Sequence, residues 1–254
     1  MVTREPNWRV DEKDDWGFVP LTKKDLVKEF LSFPKQLYRL FKNQIKVRKL
    51  EKHLASLDQV NIALGSGTTV ADGWIGFDTH RLGKNVYPVN LLLKLPLKDN
   101  SVDAILAEHI IEHFYYDDIC FLLKECYRVL APGGKIRIVC PDAKNIAELI
   151  IMGKQAEMDH DVLEDSKIHR WPDDGMRSAR FINRLSHQWG QHKSLLSRTM
   201  LTNLLKQAGF EEIFQATDRT STVFETLPDV HLLRFPNDSS KLNLAIEAIA
   251  KKNR

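Results

Sequence analysis

The chain has 254 residues, of which 43% are hydrophobic and 28% charged, and a formal net charge of +3. That is an ordinary globular composition, with enough chain to bury a real core, and the overall charge is too small to argue for nucleic acid. The three cysteines, Cys120, Cys126 and Cys140, are odd in number and sit far apart in apolar surroundings, which argues against a disulfide framework or zinc ribbon and for a reduced, cytoplasmic setting.

Residues 1–20 are charged, with Trp8, Trp16 and Phe18 interspersed and no clear period, so they read as an irregular arm. No apolar run follows the first charges, so no secretory leader is expected, and no uninterrupted apolar segment reaches the length of a membrane span. Thr22 can cap a helix carrying Leu26, Phe30 and Leu31, which Pro34 interrupts. A second helix is expected over 35–57, with Leu37, Leu40, Phe41, Ile45, Leu50, Leu54 and Leu57 on one stripe. Between Lys23 and Lys52 ten Lys or Arg face three acids, so the rest of the chain is net negative. The basic face of 35–52 could meet an anionic membrane surface or a phosphorylated partner. The simpler reading packs the stripe on the following domain and leaves the lysines in water. The expected division is therefore an arm with basic helices over 1–57 and one domain over 58–254.

The stretch Val60–Asp78 reads as strand, glycine loop, strand and acid. Gly65-Ser66-Gly67 permits a tight turn with close approach of a ligand to the backbone, and a carboxylate ending the next strand can accept both hydroxyls of a ribose. A full G-x-G-x-x-G is absent, because Val70, followed by Ala71-Asp72, stands where a third glycine would be, so a plain turn between strands fits too. Val86–Asn90 reads as punctuation, and Leu91–Leu97 contains Pro96. Val102–Leu106 is an expected strand, Glu108–His113 starts a loop or helix, and Asp117–Leu130 is helical until Ala131-Pro132-Gly133-Gly134 ends it. Lys135–Cys140 is the next strand. Apolar strands without strict alternation, interleaved with helices, predict a buried parallel sheet whose ligands bind at the carboxyl ends of its strands. Gly65, Asp78, Glu108 and Asp142 all fall there.

At this point the sequence resembles the class I S-adenosylmethionine-dependent methyltransferases, in particular the small bacterial type 11 proteins often associated with cell-surface polysaccharide pathways. The matching residues are Leu64–Gly67, Gly73–Asp78, Leu95–Asp103, Glu108–His113 and Leu123–Ile138, the last carrying R-V-L-A-P-G-G. The resemblance implies a Rossmann-like, mostly parallel seven-stranded sheet with helices on both faces, its last strands forming a reversed hairpin from Glu211–Ala216 and Leu242–Ala250. It implies S-adenosyl-L-methionine as cofactor, with Leu64, Gly65, Ser66 and Gly67 near its methionine part and Asp78 on its ribose. Asn90 would be near the adenine, and Leu95, Ala107 and Glu108 would line the remainder. Asn90 stands where many relatives have Asp, and Ser66 where they often have Cys.

Methyl transfer to a hydroxyl needs a base, and His109, Glu112, His113 and His192 are the candidates. H-x-x-E-H over 109–113 also matches a metalloprotease pattern, with no downstream acidic ligand to complete it. It resembles, too, the E-x-x-E-H of some metal-using RNA and quinone O-methyltransferases, but His109 replaces the first Glu; no metal is assigned. Residues 169–192 would form the acceptor-binding cover, where Arg170, Arg177 and Arg180 could grip anionic groups and Trp171 and Trp189 could stack on a sugar. A solvated helix with Asp–Arg pairs is the plainer alternative. The expected function is O-methylation of a saccharide or saccharide-linked acceptor, with two alternatives: a non-catalytic scaffold of the same fold, or a metal-assisted O-methyltransferase acting on another small molecule or RNA.

Overall fold

The computed structural model describes residues 48–68, 70–79, 83–151, 190–217, 219–227 and 242–252. The chain divides into two compact units, Met1–Lys52 and His53–Arg254. Residues 48–54 are helical, as the amphipathic stripe predicts. The arm, the first expected helix and residues 35–47 of the basic surface lie outside the described residues.

The second unit is built on seven strands: β1 (Asn61–Leu64), β2 (Trp74–Asp78), β3 (Val86–Pro88), β4 (Val102–Glu108), β5 (Leu130–Pro141), β6 (Glu212–Ala216) and β7 (Asn243–Ile249). Their order across the sheet is β3-β2-β1-β4-β5-β7-β6. The pairs from β3 to β5 are parallel, whereas β7 runs antiparallel to both β5 and β6. Ile62, Phe77, Ile105 and Ile138 have no exposed surface, as expected where near-continuous apolar strands are covered on both faces. Helices α1 (Tyr116–Val129), α2 (Ala143–Ile151) and α3 (Arg198–Ala208) supply cover. Ser197 caps α3 through its hydroxyl and Gly209, at φ +112°, ends it, with the Tyr127 and Phe210 rings packed edge-on at 5.0 Å.

Two expectations need correction. Val86–Pro88, read as punctuation, is an edge strand, and Pro88 is tolerated at the edge because no further strand needs its missing N–H. Ala131–Gly134 do not end α1 through a glycine cap. Leu130 is already extended and pairs with Val102, so the four residues bulge out of the β4–β5 ladder before Lys135 meets Ala104. The connection from β1 to β2, read as a glycine loop, holds no helix among its described residues. A parallel crossover usually needs a dozen residues and a helix. Here Val70 and Ala71 of the loop itself, with Phe224 from far along the chain, cover Ala63, Trp74, Ala104 and Leu106.

Phe224 is brought there by a buried ion pair. Arg137 and Glu247, neighbours across β5 and β7, are 1% and 0% exposed and 2.6 Å apart. The guanidinium donates to the carbonyls of Thr217 and Thr220, while the carboxylate accepts from the amides of Thr222 and Val223 and the hydroxyl of Ser221. Residues 217 and 219–224 are thereby strapped to the sheet.

Candidate functional site

The strand order reverses between β1 and β4, and ligands of open α/β sheets bind at the carboxyl ends on either side of such a point. Gly65 leaves β1 there at φ +61°, and Gly67 follows at φ +59°, conformations that favour glycine. The amides of Gly65 and Ser66 donate to the Phe77 carbonyl, and that of Gly67 to Asp78 Oδ2 at 2.9 Å. The loop N–H groups therefore fasten the loop to β2 rather than facing a ligand. Ser66 turns inward, 5% exposed, into the space that a side chain on Gly76 would fill. Asp78 also accepts from the amide and hydroxyl of Thr79. A carboxylate offers about four acceptor positions, so one stays available to a hydroxyl. Thr79 was not foreseen as part of this arrangement, although its place directly after the acid was the available signal.

Val89 donates to the Asp78 carbonyl, which sets exposed Asn90 beside that acid. Asn90 Oδ1 accepts from the Leu92 amide at 3.0 Å and shapes a turn that exposes Leu92 and Leu93. Leu64 and Ala107 are register partners, both buried, and Glu108 ends β4 next to them.

The chain turns sharply after β4. His109, at φ +50°, donates its amide to Val139, and the following Ile110 packs so closely on Gly65 that a Cβ there would lie 2.5 Å from it. A left-handed residue that is not glycine is strained by about 1 kcal/mol or more and is commonest at functional sites. A 3-10 turn, Ile111–His113, then presents Glu112. This carboxylate is 1% exposed, with His109 Nδ1 3.3 Å from its Oε1 and His192 Nε2 4.0 Å from the same atom. Burial pushes the Glu112 carboxyl up, but the hydrogen bond and charge of His109, aided by the backbone and His113, outweigh it and hold the group below its usual range. His113 and His192 meet edge to face, 5.0 Å between ring centroids. His192 is held in place by its successors, because the amides of Lys193 and Ser194 donate to the Glu112 carbonyl and the Ser194 hydroxyl to that of Phe114.

All four expected catalytic residues thus gather at one place, next to the glycine loop. Arg170, Trp171, Arg177, Arg180 and Trp189 lie outside the described residues. Leu95 stands further back: its side chain is 1% exposed, its amide donates to Glu125 and its carbonyl accepts from Arg128. Arg128 also reaches Leu97 and Asp99, so Glu125 and Arg128 clamp the whole L-P-L-K-D block. Asp142, at the end of β5, accepts from the Lys144 amide at the start of α2. A cleft of about 550 Å³ lies at the opposite edge of the sheet, lined by Asn61, Trp74, Asp103, Lys135 and Phe224 among others.

Residues 70–138 match the model of a family described as a methyltransferase domain. A stretch of 51 residues is 41% identical to a probable S-adenosylmethionine-dependent methyltransferase of Mycolicibacterium smegmatis, covering 20% of this chain and 19% of that protein. The matched part thus spans about a fifth of the length of the curated relative. Among solved structures, an S-adenosylmethionine-dependent methyltransferase from Archaeoglobus fulgidus is 15% identical, covers 84% of this chain and 99% of its own, and has a TM-score of 0.45. A possible histamine N-methyltransferase from Thermotoga maritima is 19% identical over 87% and 98% of the two chains, with a TM-score of 0.44. The sheet order with its one reversed strand is Rossmann-like, and residues 70–138 are similar to a methyltransferase domain of class I type. Within that class the chain resembles the small type 11 proteins.

Proposed function

We propose that this chain binds S-adenosyl-L-methionine and O-methylates a saccharide or saccharide-linked acceptor, in the manner of cell-surface glycan metabolism. The observation that carries the cofactor reading is Asp78, held by Gly67 and Thr79 at the carboxyl edge with acceptor capacity to spare. The fit is chemical: a fixed carboxylate suits a ribose hydroxyl, Asn90 beside it suits the adenine edge, and the Leu64–Gly67 loop, its amides already bonded to β2, would pack its glycines with Ala107 and Glu108 against the methionine part. The saccharide reading is supported by the resemblance of the sequence blocks and by the Arg and Trp content of 169–192.

When bound, the cofactor supplies a methyl carbon already activated by a positively charged sulfur. The chain's own task is then alignment and proton removal. Alignment of reacting groups can contribute about 7–11 kcal/mol in favourable intramolecular cases. His109, which adjoins the Glu112 carboxylate, can receive the hydroxyl proton of the acceptor, while Glu112, held below its usual carboxyl range, stays ionised and orients the imidazoles around it.

Calorimetry with S-adenosylhomocysteine is the test of binding. Wild type should bind one equivalent, and Asp78→Asn, which keeps an acceptor for Gly67 but loses the charge, should bind about 10- to 100-fold more weakly, as expected for one charge-assisted hydrogen bond. Absence of binding by folded wild type would remove the proposal. Tight binding with no component of a glycan extract accepting a labelled methyl group would favour a scaffold of the same fold. The basic segment 35–52 is read as a peripheral contact with anionic membrane. Flotation with anionic vesicles should weaken with salt, and unchanged flotation after deletion of residues 1–57 would refute it.

A further inference from the structure

We propose that Glu112, His113 and His192 form a site for one divalent transition-metal ion at the carboxyl edge of the sheet, although the sequence led us to assign no metal. Each residue offers one ligand atom, and the three atoms lie within 4.8 Å of one another. In a four-coordinate ion with bonds near 2.0–2.2 Å, ligand atoms sit roughly 3.4 Å apart, so small side-chain rotations inward complete the geometry. The second observation is Glu112 itself. It is 1% exposed, and its Oε2 accepts no hydrogen bond among the described residues. A buried carboxylate oxygen without a donor is strongly unfavourable unless a cation takes that place.

The surroundings hold the set in position. Lys193 and Ser194 fix His192 to the Glu112 backbone, and His113 donates its amide to Ile110 within the turn. His109, kept in a strained left-handed conformation, places Nδ1 3.3 Å from Glu112 Oε1 and orients the carboxylate from behind, as outer partners of metal ligands do. Two imidazoles and one carboxylate suit Zn²⁺, Fe²⁺, Co²⁺ or Mn²⁺ and leave further positions open. Mg²⁺ and Ca²⁺ prefer all-oxygen surroundings.

The ion's binding rests on these side chains alone, whereas its task rests on the methyltransferase reading. During transfer the acceptor oxygen forms its bond to the methyl carbon as the carbon–sulfur bond breaks. The electron pair returns to sulfur, giving a neutral thioether, and the hydroxyl proton leaves to a base. A Lewis acid beside that hydroxyl eases the proton's departure.

The full chain, stripped with chelator and desalted, is titrated with Co²⁺, Zn²⁺ and Mg²⁺. We expect one Co²⁺ per chain with a visible absorption band, displacement by Zn²⁺, and Mg²⁺ at least a hundredfold weaker. Glu112→Gln and His192→Asn should each weaken Co²⁺ binding at least tenfold with unchanged far-ultraviolet dichroism, and His53→Gln should bind like wild type. If one cluster variant fails to fold, the other carries the comparison. No stoichiometric uptake, unaltered affinity in both variants, or a preference for Mg²⁺ would overturn the site. Calorimetry with S-adenosylhomocysteine on the same samples separates the two readings. Binding of that ligand without Co²⁺ uptake ends the metal proposal alone, and Co²⁺ uptake without that binding upholds the metal site while ending the methyltransferase reading.

Discussion

Gly76 lies in the middle of β2, where a glycine has no conformational purpose, yet the glycine loop depends on it. A Cβ there would lie 2.2 Å from Ser66 Oγ, 2.8 Å from Val70 Cγ1 and 2.9 Å from Ser66 Cβ. Gly76→Ala must therefore push the loop off the strand. Overpacking of this kind costs about 1–3 kcal/mol, which for a chain of this size lowers Tm by roughly 3–9 °C. Ser66→Ala removes the nearest atom. The Ser66 hydroxyl is buried without a hydrogen-bond partner among the described residues, so by itself this change should be neutral or stabilising by up to about 1 kcal/mol. Placed on Gly76→Ala it should recover about half the loss, because two contacts under 3 Å remain. Calorimetric melts of the four proteins give the coupling energy directly. S-adenosylhomocysteine affinity should fall and recover in parallel, since the same loop carries the Gly67 amide to Asp78. A Gly76→Ala variant melting within about 1 °C of wild type, or no recovery on adding Ser66→Ala, would refute this packing.

Arg137→Met leaves Glu247 as a buried unpaired charge and orphans two strap carbonyls, so urea unfolding should show a loss of about 3–5 kcal/mol. The double variant Arg137→Met, Glu247→Leu should lose less, and the reverse order would contradict an ion pair at this position. The hydrogen bond of Arg128, working against burial and aided by the Leu95 amide, holds the Glu125 carboxyl below its ordinary 4.5. A group lowered by folding stabilises above its unfolded value and ceases to as pH falls through the folded one. Wild type should therefore lose stability below about pH 4.5 more steeply than Glu125→Gln, and parallel melting curves in that window would rule out this contribution.

Much of the fold was written locally. The short apolar strands β1, β2 and β4 follow from neighbouring residues, because periodicity and turn chemistry act over a few positions, whereas the late pair β6 and β7 was expected from the family resemblance. The most specific block, Leu123–Ile138, was legible for a related reason: Glu125 and Arg128 are spaced by one helical turn, and together they clamp the Leu95–Asp99 loop. Those residues carry the family resemblance, yet their described bonds hold the Leu95–Asp99 loop rather than the candidate site. The edge strand Val86–Pro88 was missed because a proline suppresses the local strand signal, and only the position at the sheet's edge makes it harmless.

The sequence by itself singled out the glycine loop, Asp78 and the run from Glu108 to His113, each as a short local pattern. Tertiary structure decided two things that such patterns could not. Residues 219–224 bring Phe224 to help cover the sheet where the β1–β2 connection shows no helix among its described residues, and they do so through Arg137 and Glu247, which look like surface charges on separate strands until the sheet closes over them. His192 reaches Glu112 because the Lys193 and Ser194 amides find the Glu112 carbonyl. Such long-range contacts form only when the strands between them pair, so no local pattern announces them.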